Sequence, residues 1–299
     1  MSHRYPPEGG LLHTPANRTA TATLAALAAC RAEETVVEGR AVLCTPGHDL
    51  VVRLGPFTGT IPRQEAALGI REGTVREIAI LSRVGKPVAC TVTGVGEEGE
   101  VLLSRRRAQE LALTALMALP AGTVLPAVVT HLEGFGAFVD VGCGVTSLIG
   151  IENCSVSRIA HPDRRFVPGQ AIYALLTGRD RDLGRLYLSH KELLGTWAEN
   201  AAAFASGMTV AGWVRGVKPY GTFVELAPNL TGLADQTEGL AEDDRVSVYV
   251  KAIQPTRRKI KLTVLEKLPE AMQPAPFSYF ITDGQLAAWD YAAPVSRPL

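Results

Sequence analysis

Two stretches of this chain superimpose without a gap, and that repeat limits the possible folds more than any other feature of the sequence. GTVLPAVVTHLEGFGAFVDVGCGVTSL from Gly122 lies over GMTVAGWVRGVKPYGTFVELAPNLTGL from Gly207, an offset of 85 residues (207 less 122). Phe135 then meets Tyr220, Gly136 meets Gly221, Phe138 meets Phe223, Val139 meets Val224 and Asp140 meets Glu225. At the same offset GEVLLSRR from Gly99 lies over GRLYLSHK from Gly184, so three copies of one unit are implied.

Each copy has the pattern of strands. In AFVDV the residues alternate between two faces, and the region is rich in Val, Phe and Tyr with Gly at the bends. The second copy reads as five strands over 124–131, 136–141, 146–151, 171–176 and 185–189. In the third, a shorter link leads to strands over 246–253 and 259–263. Five antiparallel strands in a partly open barrel make an OB-fold, whose second and third strands form the usual oligonucleotide-binding surface. The expected class is mainly β: three tandem five-stranded OB-fold barrels joined by short helices. RAQELALTALMAL after Arg106 and KELLGTWAENAAAFA after His190 supply those helices, and TATLAALAACRAEE from Thr21 a further one. The layout is residues 1–34 as a mobile Pro- and Gly-bearing tail and helix, 35–120 as a degenerate first barrel with its linker, 121–206 as the second barrel with its linker, 207–268 as the third, and 269–299 as a tail. Phe277, Tyr279, Phe280, Trp289 and Tyr291 in that tail predict docking.

Composition excludes several classes. At 46% hydrophobic and 20% charged, the chain has ample apolar material for packed cores. No run of eighteen apolar residues predicts a membrane span, and MSHRYPPEGG lacks the order of a secretory signal, so a cytoplasmic protein is expected. Five cysteines without a C-x-x-C pair read as buried or half-buried free thiols, not as disulfides or a zinc site. The histidines show no metal-binding spacing, and His131, His161 and His190 read as surface residues. No phosphate-cradling G-x-x-x-x-G-K-[ST] loop is present. No catalytic residue, metal, cofactor, membrane or small-molecule substrate is therefore expected. Thirty basic residues balance thirty acidic ones, but a polyanion responds to local charge rather than to the sum.

The residues GTVLPAVVTHLEGFGAFVDVG, FVPGQAIYALL and GRLYLSHKELLGTW in the second copy, and YGTFVEL in the third, resemble the RNA-binding repeat of bacterial small-subunit ribosomal protein S-one. The resemblance spans about 122–265, and the whole looks like the short, roughly three-barrel relatives of that protein. It implies S-one-type repeats, single-stranded RNA or mRNA as partner, and a ribosome- or translation-linked role at the small subunit. RNA decay or regulation, or a protein-interaction scaffold, are the alternatives. The family's third-strand histidine is replaced by Gly150 in SLIGIE and, read from GLAD, by Ala234. The first copy has DLVVRLGPFTG where the G-F-G-x-F core belongs, so a structural or protein-contacting barrel is expected there.

The candidate RNA-binding residues follow from strand alternation and from this resemblance. Outward Phe138 with Phe135 at the preceding turn forms a platform for base stacking, and Tyr220 with Phe223 repeats it. With Val139 and Val141 inward, Asp140 is expected outside. Arg185 and Lys191 flank the last strand of the second copy, and Lys259 and Lys261, next to Arg257 and Arg258, supply cations in the third. Arg179 and Arg181 alternate with Asp180 and Asp182 and read as a self-neutralised loop. Arg105, Arg106 and Arg107 either touch phosphate or face solvent on their helix.

Overall fold

Strand alternation is realised as three barrels with one topology. The computed structural model describes residues 4–96, 99–269 and 276–293. The first barrel comprises β1 (Val36–Cys44), β2 (Leu50–Leu54), β3 (Phe57–Ile61), β4 (Pro87–Val95) and β5 (Val101–Ser104). The second comprises β6 (Val124–Glu133), β7 (Gly136–Asp140), β8 (Thr146–Gly150), β9 (Ala171–Asp180) and β10 (Arg185–Ser189). The third comprises β11 (Thr209–Lys218), β12 (Gly221–Ala227), β13 (Leu230–Ala234), β14 (Arg245–Gln254) and β15 (Lys259–Lys267). In each, the first strand pairs antiparallel with the second and fourth, and the third pairs parallel with the fifth, which closes the sheet. The barrels are thus closed rather than partly open. Period two fills each core: in β10, Leu186 and Leu188 are buried while Arg185 and Tyr187 are exposed.

A register shift between first and second strands recurs at Ala41/Leu43, Val129/His131 and Val214/Gly216. Such a bulge bends the strand and re-aims its side chains. At the following turns glycine is required. A Cβ on Gly136 would collide with the Ile149 carbonyl oxygen, and Gly221 has φ +147° with the Ala234 carbonyl 2.5 Å from where a Cβ would stand.

Three local expectations are corrected. Residues before the first barrel are packed, not loose: the side chain of Glu8 is buried between Arg105 (2.6 Å) and Arg83 (3.1 Å), its backbone N–H donates to Asp140 Oδ2 (2.7 Å), and Thr14 caps the helix Pro15–Ala20. The glycine-rich composition that suggested mobility says nothing of this single carboxylate, whose neighbouring guanidinium holds it well below the usual range against its burial. The second linker is not a continuous helix. Gly195, at φ +82°, separates a 3-10 turn, Lys191–Leu194, from the short helix Trp197–Ala201, which Thr196 and Glu199 start with a capping box. The first linker is the full helix Arg105–Ala118.

His190 is the third correction, for it is fully buried among the rings of Phe166, Phe277 and Tyr279. Its Nδ1–H donates to Cys154 O (2.9 Å), and Nε2 accepts from the Tyr279 hydroxyl (2.9 Å). Phe277 and Tyr279 arrive from the C-terminal segment, which also pairs Val124 with Gly284 and Leu286 with Gly122 and passes Tyr291 to Asn229 of the third barrel. Burial pushes the His190 imidazole down to about 4. Because the folded value lies below the unfolded one, the neutral ring contributes stability above about pH 6.5, and this is lost as pH falls toward 4. Denaturant unfolding between pH 7 and 4 is expected to show about 3 kcal/mol lost from this residue, a loss that His190→Gln should remove. An unchanged pH profile in that variant would contradict the assignment.

Four of the five cysteines, Cys30, Cys90, Cys143 and Cys154, are buried free thiols and Cys44 is half-buried, as their spacing predicted.

Candidate nucleic-acid interface

Cross-strand register lays one row of side chains over each barrel. In the second it runs His131, Phe138, Leu148 and Tyr187 across β6, β7, β8 and β10. Phe138 is half-buried, with His131 stacked on it (centroids 6.3 Å, 24° between planes) and Phe135 edge-on (6.0 Å, 87°). Phe135 is 57% exposed at the turn beside the row and Tyr187 51% exposed at its β10 end, so both offer wet ring faces. In the third barrel the row is Gly216, Phe223, Leu233 and Lys261. Tyr220 stands edge-on to Phe223 at 6.1 Å and 89°, nearly the geometry of the second barrel, and is 70% exposed. The structure therefore brings together both predicted ring pairs. In the first barrel the row is Leu43, Val51, Thr60 and Leu102, which has no ring, and Leu43 and Leu102 are exposed.

The cations divide less evenly. Arg185 is exposed at the start of β10, while Lys191 lies beyond its end, half-buried, with Nζ donating to Glu152 O (3.2 Å) and Asn153 Oδ1 (2.9 Å). Five residues of chain lie between them, so they flank opposite ends of β10 rather than one spot. Lys261 sits in the third row itself and Lys259 at the start of β15, both exposed.

Register also corrects the histidine comparison. Gly136 pairs with Gly150, whereas Ala234 pairs with Thr222, one residue past Gly221, so Asp235 rather than Ala234 is the counterpart of Gly150. That carboxylate is ion-paired with Lys251 (2.8 Å), and Lys251 and then Lys261 hold it below the usual range.

Asp140 is not outside. It is buried and accepts hydrogen bonds from the backbone of Glu8, Gly142 and Gly144, because the N-terminal segment covers that end of β7. Burial, and then the Glu8 carboxylate, push it up to about 7. The run Arg105–Arg107 is likewise spoken for: Arg105 by Glu8, Arg106 by Glu65 (3.3 Å) and Glu110, Arg107 by Glu34 (2.8 Å) and Glu110. Arg179 donates to the Leu119 carbonyl.

The sequence reading missed two members of the second row. Tyr187 was accessible from the alternation in RLYLS, and His131 from its place at the bulge opposite Phe138, a position the third barrel leaves open with Gly216.

Closed five-stranded barrels with this strand order define a class, the OB-fold. Residues 119–191, which take in the whole second barrel, match the family model described as "S1 RNA binding domain". The chain thus carries an S1 domain, and its three barrels fit tandem S1 repeats. It is related in sequence to small ribosomal subunit protein bS1 of Leuconostoc lactis, 33% identical over 189 residues covering 57% of this chain and 44% of that one. The bS1 homolog of Bacillus subtilis is 31% identical over 200 residues, 59% of this chain and 51% of that one. The chain spans about half the length of these relatives. A solved multidomain protein with nucleic acid binding domains from Streptococcus pneumoniae aligns over 80% of this chain and 76% of its own, at 15% identity and a TM-score of 0.27.

Proposed function

We propose that the chain binds single-stranded RNA without acting on it chemically, and that it does so in the cytoplasm in a translation-linked role at the small ribosomal subunit, with mRNA as the strand held. The observation that carries this reading is the repeated ring pair, Phe135 with Phe138 and Tyr220 with Phe223, each on an outward row that cations flank or enter, Arg185 and Lys191 in the second barrel and Lys259 and Lys261 in the third. An unpaired base offers a π-face that such a ring stacks against for about 1–3 kcal/mol whatever its identity. Arg185 and Lys191, and Lys259 and Lys261, are then the phosphate partners. The S1 match and the bS1 relatives support the same reading. The ring-free row of the first barrel, three aliphatic residues and Thr60, favours a protein contact there.

The test is a titration with single-stranded and duplex RNA of about ten to twenty nucleotides, repeated across salt concentrations. The single strand is expected to bind more tightly, with the logarithm of affinity falling by about 0.7 per phosphate contacted for each unit of log salt. Equal affinity for both forms, or no salt dependence, would contradict it.

A further inference from the structure

The second and third barrels meet along a line of hydrogen bonds. Ser157 N–H donates to Pro228 O (3.0 Å), Val156 N–H donates to Asn229 Oδ1 (2.9 Å), and the hydroxyls of Ser157 and Thr231 lie 2.7 Å apart. Beside that line opens a cleft of about 790 Å³, walled by 156–159 of the second barrel and by strands and turns of the third. Arg215 also lines it, but its charge is taken up by Glu225 and Asp243. Four more cations line it: Arg158 from the second barrel, and Lys218, Arg257 and Arg258 from the third. All four are exposed, and among the described residues none has an ion-pair partner. Glu242 is the single carboxylate in the lining.

This arrangement differs from a solvated charged face in two respects. The cations come from two barrels whose relation is fixed by the bonds just given, so four positive groups surround one space against the single carboxylate of Glu242 and favour an anion that fills it. The volume also lies within the roughly 300–1,000 Å³ of sites that enclose small ligands. Tyr220 and Phe223 border the same cleft, so it continues the ring platform of the third barrel toward the second.

We propose that this junction cleft is a phosphodiester subsite adjoining the third barrel's ring platform, in which Arg158 of the second barrel joins Lys218, Arg257 and Arg258 to hold the backbone of one RNA strand as it passes between the barrels. The proposal rests on the RNA-binding reading and deepens it: the two ring platforms serve one strand, and the cleft is the joint.

The test compares Arg158→Gln with Arg257→Gln, combined in one chain, against the unchanged protein. Both residues are exposed, and thermal melting checks that the fold is retained. Two probes are used, an oligoribonucleotide of about sixteen nucleotides and one of about six, the shorter fitting a single barrel face. For the longer strand the log–log salt slope is expected to fall by about 1.4, two contacts of about 0.7 each, which is about a 25-fold loss of affinity at 0.1 M salt. The hexamer should lose little. Unchanged slope and affinity on the longer strand, while removal of Phe138 and Phe223 weakens binding, would overturn the cleft and leave the RNA reading standing. Equal losses on both lengths would make these arginines part of a single barrel face and also overturn it. Failure of the unchanged protein to bind either probe would instead remove the RNA reading itself.

Discussion

Phe138→Ala combined with Phe223→Ala is expected to weaken single-stranded RNA binding by about 2–6 kcal/mol, from two stacking platforms at about 1–3 kcal/mol each. Each ring is the inner member of its pair and lies at the centre of its row, so removing it leaves Phe135 or Tyr220 without an edge partner. Folding should change far less. Both side chains are half-buried on the outside of the barrel, over mainly aliphatic cores in which neither takes part, so each substitution should cost about 1 kcal/mol or less, the scale of a cross-strand pair. Binding isotherms and thermal melting of the same samples separate the two effects. A collapse of the melting temperature would place the rings in the core and withdraw them from RNA.

Glu225→Ala is expected to do the opposite, lowering stability by about 3–5 kcal/mol in denaturant unfolding. Glu225 sits on β12 with its side chain 4% exposed, between Arg165 of the second barrel and Arg215 of the third, which are 4% and 5% exposed. Arg215 keeps a second partner in Asp243, but among the described residues Arg165 has no other carboxylate and would be left as an uncompensated buried charge. The effect is specific to breaking the pair, so Glu225→Leu with Arg165→Met should recover much of the loss. A Glu225→Ala variant within about 1 kcal/mol of the parent would mean that water reaches these guanidiniums and that the pair does not hold the barrels together.

What the sequence revealed was what local periodicity encodes. RLYLS alternates cleanly, and the strand Arg185–Ser189 has the bounds read from it; the ring pairs followed from alternation plus a gapless repeat. What stayed hidden depends on residues distant in the chain. His190 follows a strand and looks like a surface residue until Tyr279, 89 residues on, closes over it. Arg105 looks like one of three free cations until Glu8, 97 residues before it, neutralises it. Asp140 was placed outside by the alternation, and is covered by a segment that composition marked as mobile. Arg158 lies in a loop with no pattern of its own, and only the packing of two barrels gives it neighbours of the same charge.

The central claim is that RNA lies across the outward rows of the second and third barrels, and photo-cross-linking of a uridine-substituted single strand, with the linked peptides identified by mass spectrometry, tests it most directly. Cross-links should fall on the peptides carrying Phe135 and Phe138, Tyr187, and Tyr220 and Phe223. Cross-links confined to the first barrel, or spread evenly over the surface, would contradict the account.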